Sequence, residues 1–177
     1  RRIRKVAVMG AGVMGSGIAC HLANAGLEVL LLDLPTPGKG EKQSQTPKDR
    51  NAQVNQLLEQ TIKSKPSPLY ISSYFSRITT GNFEDDLSSI STCDWILEVI
   101  VERLDIKTKL FERIEKYRRP GTIISSNTSG IPIHSMLEGR SDDFRAHFCG
   151  THFFNPPCYL RLLEITPTSE TKPEVVD

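Results

Sequence analysis

Val6-Ala-Val-Met-Gly10-Ala-Gly12-Val-Met-Gly15-Ser-Gly17-Ile-Ala19 sets an apolar run directly against glycines at positions 10, 12 and 15, and a helical pattern of Ile18, Ala19, Leu22 and Ala25 continues to Gly26. The spacing predicts a strand, a phosphate-binding turn and a helix. Gly10 permits a sharp exit from the strand, Gly12 leaves no side chain where a pyrophosphate must approach the backbone, and Gly15 lets the helix pack closely on the sheet. The helix N-terminus then faces the phosphate charge, which makes Gly10, Ala11, Gly12, Val13, Met14 and Gly15 the candidate nucleotide-binding turn. A glycine triplet alone fits many tight turns. The strand before it and the helix after it give it meaning.

The next run, Glu28-Val-Leu-Leu-Leu-Asp33, is a second apolar strand closed by a carboxylate eighteen residues past Gly15. An acidic side chain at that tip can accept hydrogen bonds from both hydroxyls of an adenosine ribose and repels a 2′-phosphate, which favours NAD over NADP. An aspartate also suits the start of a turn before Pro35. Asp33 therefore draws its functional reading from the glycines that precede it.

The 177 residues suffice for the core of one ordinary domain, and a single unit over 1–177 is expected. Lys and Arg total 22 against 21 Asp and Glu, so no basic excess points to nucleic acid. Cys20, Cys93, Cys149 and Cys158 are far apart, form no short metal-binding motif and lie mostly in apolar runs, which suits a reducing, cytoplasmic setting without a bound metal. The apolar runs are strand-sized and broken by charge, and the basic start Arg1–Lys5 leads into a strand. Neither a membrane span nor an export signal is expected. The absence of an initial methionine and the abrupt stop at Asp177 suit a piece of something longer.

Further along, Pro35 to Arg50 contains no aliphatic or aromatic residue and reads as a solvated loop. Asp49 is placed to cap a helix whose Val54, Leu57, Leu58, Thr61 and Ile62 share one face, ended by Pro66 and Pro68. Arg77–Thr80 reads as a strand, Gly81-Asn82 as a turn, and Phe83–Ile90 as a short helix with Glu84, Asp85 and Asp86 in its first turn. Asp94–Glu102 is too continuously apolar for an edge strand and reads as a central parallel one. Ile106, Leu110, Ile114 and Tyr117 mark the following helix, and Thr122–Ser126 the next strand. The alternation gives an α/β fold, a doubly wound, mostly parallel sheet of Rossmann type. Ligands in such sheets sit beyond the carboxyl ends of the strands. That edge gathers Asp33, Glu102 with Lys107, and Ser126-Asn-Thr-Ser129, although the last two clusters alone would suit an ordinary helix start and a turn.

The runs His147-Phe-Cys-Gly-Thr-His152-Phe-Phe and Leu160-Arg-Leu-Leu-Glu164-Ile flank a turn at Asn155-Pro-Pro157. Paired about it as an antiparallel C-terminal extension, they put His152 and Glu164 on one face, opposite or one diagonal step apart. A histidine oriented by a carboxylate is suited to take a proton from a hydroxyl near neutral pH. His21 on the first helix, His134 in a short helix and His147 upstream in the strand have no evident carboxylate partner and read as structural.

Taken together, the glycine stretch Gly10–Gly17, Glu98-Val-Ile-Val-Glu102 with Lys107, Ser126-Asn-Thr-Ser129, and His152-Phe-Phe-Asn-Pro156 with Glu164 resemble the 3-hydroxyacyl-CoA dehydrogenases of fatty-acid β-oxidation. The resemblance implies oxidation of an (S)-3-hydroxyacyl-CoA to the 3-ketoacyl-CoA, with hydride passing to NAD. It makes His152 the general base, Glu164 its orienting partner and Ser129 a hydrogen-bond donor to the substrate oxygen near the nicotinamide. It makes Asn155 a residue that places cofactor and histidine, and sets Glu102 and Lys107 along the nicotinamide ribose. It also implies a second, helical domain that closes the cleft, supplies a further catalytic asparagine and forms a homodimer. That domain lies outside this chain, so the isolated chain is expected to bind NAD but turn over poorly. The loop from Pro35 and the phrase Glu138–Asp143 look like the larger multifunctional members, in which a hydratase-type module accompanies the dehydrogenase. Lys63 and Lys65 read as a solvated helix end before they read as contacts for CoA phosphates. A hydroxyacid dehydrogenase that works through a lysine, or a non-catalytic NAD-binding module, would share the glycines. Intact Ser129, His152, Asn155 and Glu164 argue against the second.

Overall fold

Val6, Ala7, Val8 and Met9 are all fully buried, so the first strand is covered on both of its faces. In the computed structural model, which describes residues 2–38, 46–160 and 162–177, this strand β1 (Lys5–Met9) is an interior strand of a seven-stranded sheet. It is followed by α1 (Val13–Asn24), β2 (Glu28–Asp33), α2 (Pro47–Arg50), α3 (Ala52–Ile62), β3 (Ile78–Asn82), β4 (Trp95–Glu98), α4 (Leu104–Tyr117), β5 (Ile123–Ser126), α5 (Asp142–Ala146), β6 (Phe148–Phe153), β7 (Leu163–Pro167) and α6 (Pro173–Val176). The strand order is β3-β2-β1-β4-β5-β6-β7. Every neighbouring pair is parallel except β6 with β7.

Side-chain alternation along β1 divides the core in two. Val6 and Val8 join Ile18, Leu22, Val54 and Leu58 under α1 and α3. Ala7 and Met9 join Leu110, Phe111, Ile114 and Phe144 under α4 and α5. At roughly 1.5–3 kcal/mol for each fully buried large aliphatic or aromatic side chain, these two layers are the main favourable contribution to the fold. The strand order reverses between β1 and β4, which is where such sheets open a crevice for a ligand.

The structure corrects several local readings. β4 stops at Glu98, four residues short of the run to Glu102, because the Glu98 side chain turns back to accept the N–H of Ile100 at 2.7 Å. Gly81 and Asn82 belong to β3, and the segment from Phe83 makes a turn before a 3-10 helix at Leu87–Thr92. The Asp86 carboxylate accepts the Asn82 N–H at 2.8 Å, and Asn82 in turn accepts the amides of Glu84 and Asp85 at 2.9 Å, so side chains replace the helical bonds. Asp49 does not cap the helix with Val54 and Leu58: the N-cap of α3 is Asn51, which makes no side-chain cap. Asp49 lies in the separate short helix α2, where it forms a capping box with the N-cap Thr46. Of the polar loop, residues 39–45 lie outside those described. Among the described residues no helix is long and apolar enough to cross a membrane.

Candidate active site

The glycine turn is built by contacts a side chain would forbid. Gly10 has φ of +118°, and a Cβ there would lie 2.7 Å from the carbonyl oxygen of Val99, where the chain leaving β4 crosses the turn. A Cβ on Gly15 would lie 1.8 Å from the Gly10 carbonyl oxygen, so the close packing expected of Gly15 is against the turn itself. Gly12 differs from both, because nothing lies within 4 Å of its Cβ position. Gly12 is also the N-cap of α1, it makes no side-chain cap, and the first turn carries no acid. An N-terminus of this kind, exposed at Gly12 and Val13 with open space before it, is chemically suited to a pyrophosphate.

Asp33 stands at the adjacent strand tip, partly exposed. Its Oδ2 accepts the N–H of Ala11 at 2.7 Å and its Oδ1 the N–H of Leu34 at 2.7 Å. Each oxygen keeps a second lone pair for a hydroxyl, so Asp33 both ties the glycine turn to β2 and remains able to accept from a ribose.

Across the switch point, β4, α4 and β5 bring together a charged cluster that the sequence showed only in part. Lys107 is fully buried, and its Nζ donates to Glu98 Oε1 and Oε2 at 2.9 and 2.8 Å, and lies 3.0 Å from Glu102 Oε2 and 3.4 Å from Ser126 Oγ. Glu98 is buried as completely and also accepts the Ser126 hydroxyl in a short hydrogen bond. Burial pushes the Glu98 carboxyl up, against the opposing pull of Lys107. Glu102 reaches the other way. Its Oε1 accepts from the Thr128 hydroxyl and from the amides of Ser129 and Gly130, both at 3.2 Å. Burial alone would raise Glu102, but the hydrogen bonds from Thr128 and Lys107 outweigh it and bring its carboxyl down to about 2. Ser129 itself is exposed. In the sequence Glu98 stood out only as the first residue of the run Glu98-Val-Ile-Val-Glu102, with no partner or role of its own.

His152 and Glu164 are direct register partners on β6 and β7, and His152 Nδ1 lies 2.9 Å from Glu164 Oε2. The imidazole rests against Phe154 with ring centroids 4.5 Å apart. Two contacts set this arm beside the glycine turn. Pro157 Cγ would be 3.1 Å from a Cβ on Gly17, and Cys158 Sγ donates to the Gly17 carbonyl at 3.5 Å. Asn127 fixes the end of β6 by accepting the Phe153 N–H at 2.9 Å. Asn155 is exposed and lines, with Gly12, Val13, Thr61 and Lys65, a cleft of about 430 Å³. His152 and Ser129 are not among its walls. Lys63 pairs with Glu59 at 3.0 Å on the surface of α3 and stays out of the cleft.

The other histidines divide differently from expectation. His147 does have a carboxylate partner, with Nδ1 at 3.3 Å from Asp143 Oδ1 and 2.7 Å from the Asp143 carbonyl oxygen. It is 7% exposed and closes α5 before β6, so the pairing is part of the packing. His21 packs edge-on against Phe153 at 6.2 Å. All four cysteines are free and buried, and no group of metal-binding side chains occurs among the described residues.

Comparison with known proteins matches residues 5–177 to the family described as 3-hydroxyacyl-CoA dehydrogenase, NAD binding domain. A probable 3-hydroxyacyl-CoA dehydrogenase of Bacillus subtilis is 50% identical over 182 residues, covering 99% of this chain and 23% of the relative. One of Deinococcus radiodurans is 49% identical over 175 residues, covering 99% of this chain and 48% of the relative. Among solved structures, 3-hydroxybutyryl-CoA dehydrogenase from Escherichia coli superposes with a TM-score of 0.73 at 26% identity, over 99% of this chain and 35% of that one. The chain thus spans less than half the length of these relatives.

Proposed function

The chain belongs to the 3-hydroxyacyl-CoA dehydrogenase family, whose NAD-binding domain it matches over residues 5–177, and on that premise we propose that the whole protein oxidises (S)-3-hydroxyacyl-CoA to 3-ketoacyl-CoA in fatty-acid β-oxidation. The observation that carries this reading is the His152–Glu164 register pair, 2.9 Å apart and packed beside the glycine turn.

The chain's own groups divide the work as follows. Gly10 to Gly15 and the α1 N-terminus receive the pyrophosphate, and Asp33 accepts from the adenosine ribose. Bound there, NAD supplies the hydride acceptor. Because Glu164 takes the Nδ1–H of His152, the imidazole is held in the tautomer that leaves Nε2 free to accept a proton, and Nε2 removes the substrate hydroxyl proton. The imidazolium so formed stays paired with Glu164. Ser129 donates to the substrate oxygen, and Asn155 positions the cofactor at the mouth of the cleft. Glu102 lines the nicotinamide ribose from its exposed side. Lys107 acts there only through Glu102, since its ammonium is surrounded by Glu98, Glu102 and Ser126. That commitment also speaks against Lys107 as the base. The reading includes a helical domain outside this chain that closes over the His152 edge and pairs two copies. Its support is the exposure of Leu160, Leu162, Leu163 and Ile165, each between 38% and 55%.

The test is acetoacetyl-CoA-dependent oxidation of NADH by the whole protein beside its His152→Gln variant. Loss of activity by about 10²–10⁴-fold is expected for removal of a general base. NADH binding with no activity in the parent protein would leave a binding module or a different hydroxyacid as the reading.

A further inference from the structure

Glu98 has no place in the chemistry above, yet it is the only buried carboxylate among the described residues. It is 0% exposed, engages Lys107 with both oxygens at 2.8 and 2.9 Å, and accepts from the Ser126 hydroxyl and the Ile100 amide. A buried ion pair is a poor way to stabilise a core, because desolvation costs about as much as the attraction returns and an apolar pair of similar volume serves as well. The position of the partners suggests a different use. Lys107 passes the contact to Glu102 at 3.0 Å, and Glu102 grips Thr128, Ser129 and Gly130. At the same strand end the Glu98 carbonyl accepts the Asn127 N–H at 2.8 Å, and Asn127 holds Phe153, the neighbour of His152.

We propose that Glu98 is a positioning residue: through Lys107 and Glu102 it fixes the 128–130 loop, and so the place of Ser129. Two rigid elements, β4 and α4, carry the fixed ends of this brace, and only its last member reaches solvent. Lys107 needs an acceptor on each side to stay in place. With Glu98 made neutral, Lys107 is left to a single carboxylate, and the grip of Glu102 on the loop amides loosens.

The experiment is amide hydrogen exchange on the whole protein and its Glu98→Gln variant, followed by kinetics in a double-mutant cycle with Ser129→Ala. The exchange arm is independent of the dehydrogenase reading. The kinetic arm rests on it, so failure of the two can be told apart. Expected are amides of Ser129 and Gly130 that exchange about tenfold faster or more in Glu98→Gln, with strand amides of β1 and β4 unchanged. kcat should fall while KM for NADH moves little, and Glu98→Gln should add nothing further once Ser129 is alanine. Should Glu98→Gln fail to fold, E98Q/K107M replaces it, since removing both charges leaves none buried without its partner. A folded variant with unaltered Ser129 and Gly130 exchange overturns the proposal. So does a loss of kcat that is fully additive with Ser129→Ala.

Discussion

Gly12→Ala separates the cofactor site from the fold. The new methyl group meets nothing within 4 Å, and Gly12 has φ −59°, which alanine adopts freely. Losing glycine at an N-cap costs about 0.5–1 kcal/mol, and the reduced freedom of the unfolded chain returns about 0.4–1 kcal/mol. The net change is close to zero, so the melting temperature should move by no more than about 2 °C. Binding is another matter. A phosphate oxygen must come within about 3 Å of the turn amides to be bound by them, and the methyl occupies that approach. Losing one charge-assisted hydrogen bond at about 1.5–3 kcal/mol raises the NADH Kd tenfold or more. NADH fluorescence titration and thermal melting on the same preparation measure both quantities. Gly15→Ala is the converse control. Its methyl would sit 1.8 Å from the Gly10 carbonyl oxygen, so stability falls along with binding. A Gly12→Ala protein with parental melting and parental NADH affinity would refute the placement of the pyrophosphate at this turn.

Glu164→Gln should lower kcat roughly ten- to hundredfold in steady-state kinetics, with KM for NADH little changed. That is less than the ~10⁴-fold seen for a buried triad aspartate, because the Glu164 side chain is 56% exposed and solvent screens it. Lys107→Met strands Glu98 as a buried charge and should cost about 3–5 kcal/mol in denaturant unfolding, most of it recovered in E98Q/K107M. The Lys107→Met deficit should shrink as pH falls, because a carboxyl already pushed up by burial takes a proton and ceases to be a buried charge. Glu102 behaves in the opposite sense. Its carboxyl sits at about 2 against an ordinary 4.5, so its stabilising effect is complete above 4.5 and is lost as pH falls toward 2. Exchange of the Ser129 and Gly130 amides, each corrected for the intrinsic rate, should therefore lose protection across that window. Protection unchanged through it would separate Glu102 from the loop.

What was legible in the sequence is what depends on period and backbone. β1, α1 and β2 follow from apolar runs broken by glycines, and two of these, Gly10 and Gly15, prove to be excluded from carrying a Cβ by neighbouring backbone. The alternation of two runs on either side of the Asn155-Pro-Pro157 turn puts His152 and Glu164 on one face, opposite or a diagonal step apart, and the strands pair them at direct register. Readings that failed depended on which of several polar side chains wins a backbone group. Asp49 is taken into a capping box with Thr46 on the short helix α2, which leaves Asn51 as the N-cap of α3. Asn82 and Asp86 take the amides that a helix from Phe83 would have needed.

Glu98 was illegible for a more instructive reason. An apolar run from Trp95 to Val101 predicts a longer strand, and periodicity has no term for a carboxylate in its middle that folds back on Ile100 and reaches a lysine nine residues on. The same side chain that ends β4 early starts the brace to Glu102. Ending the strand there is also what lets Val99 cross Gly10, where its carbonyl blocks any side chain. The failure of the pattern and the crossing of the glycine turn therefore have one cause: a charge placed where the strand must stop so that the chain can pass over Gly10.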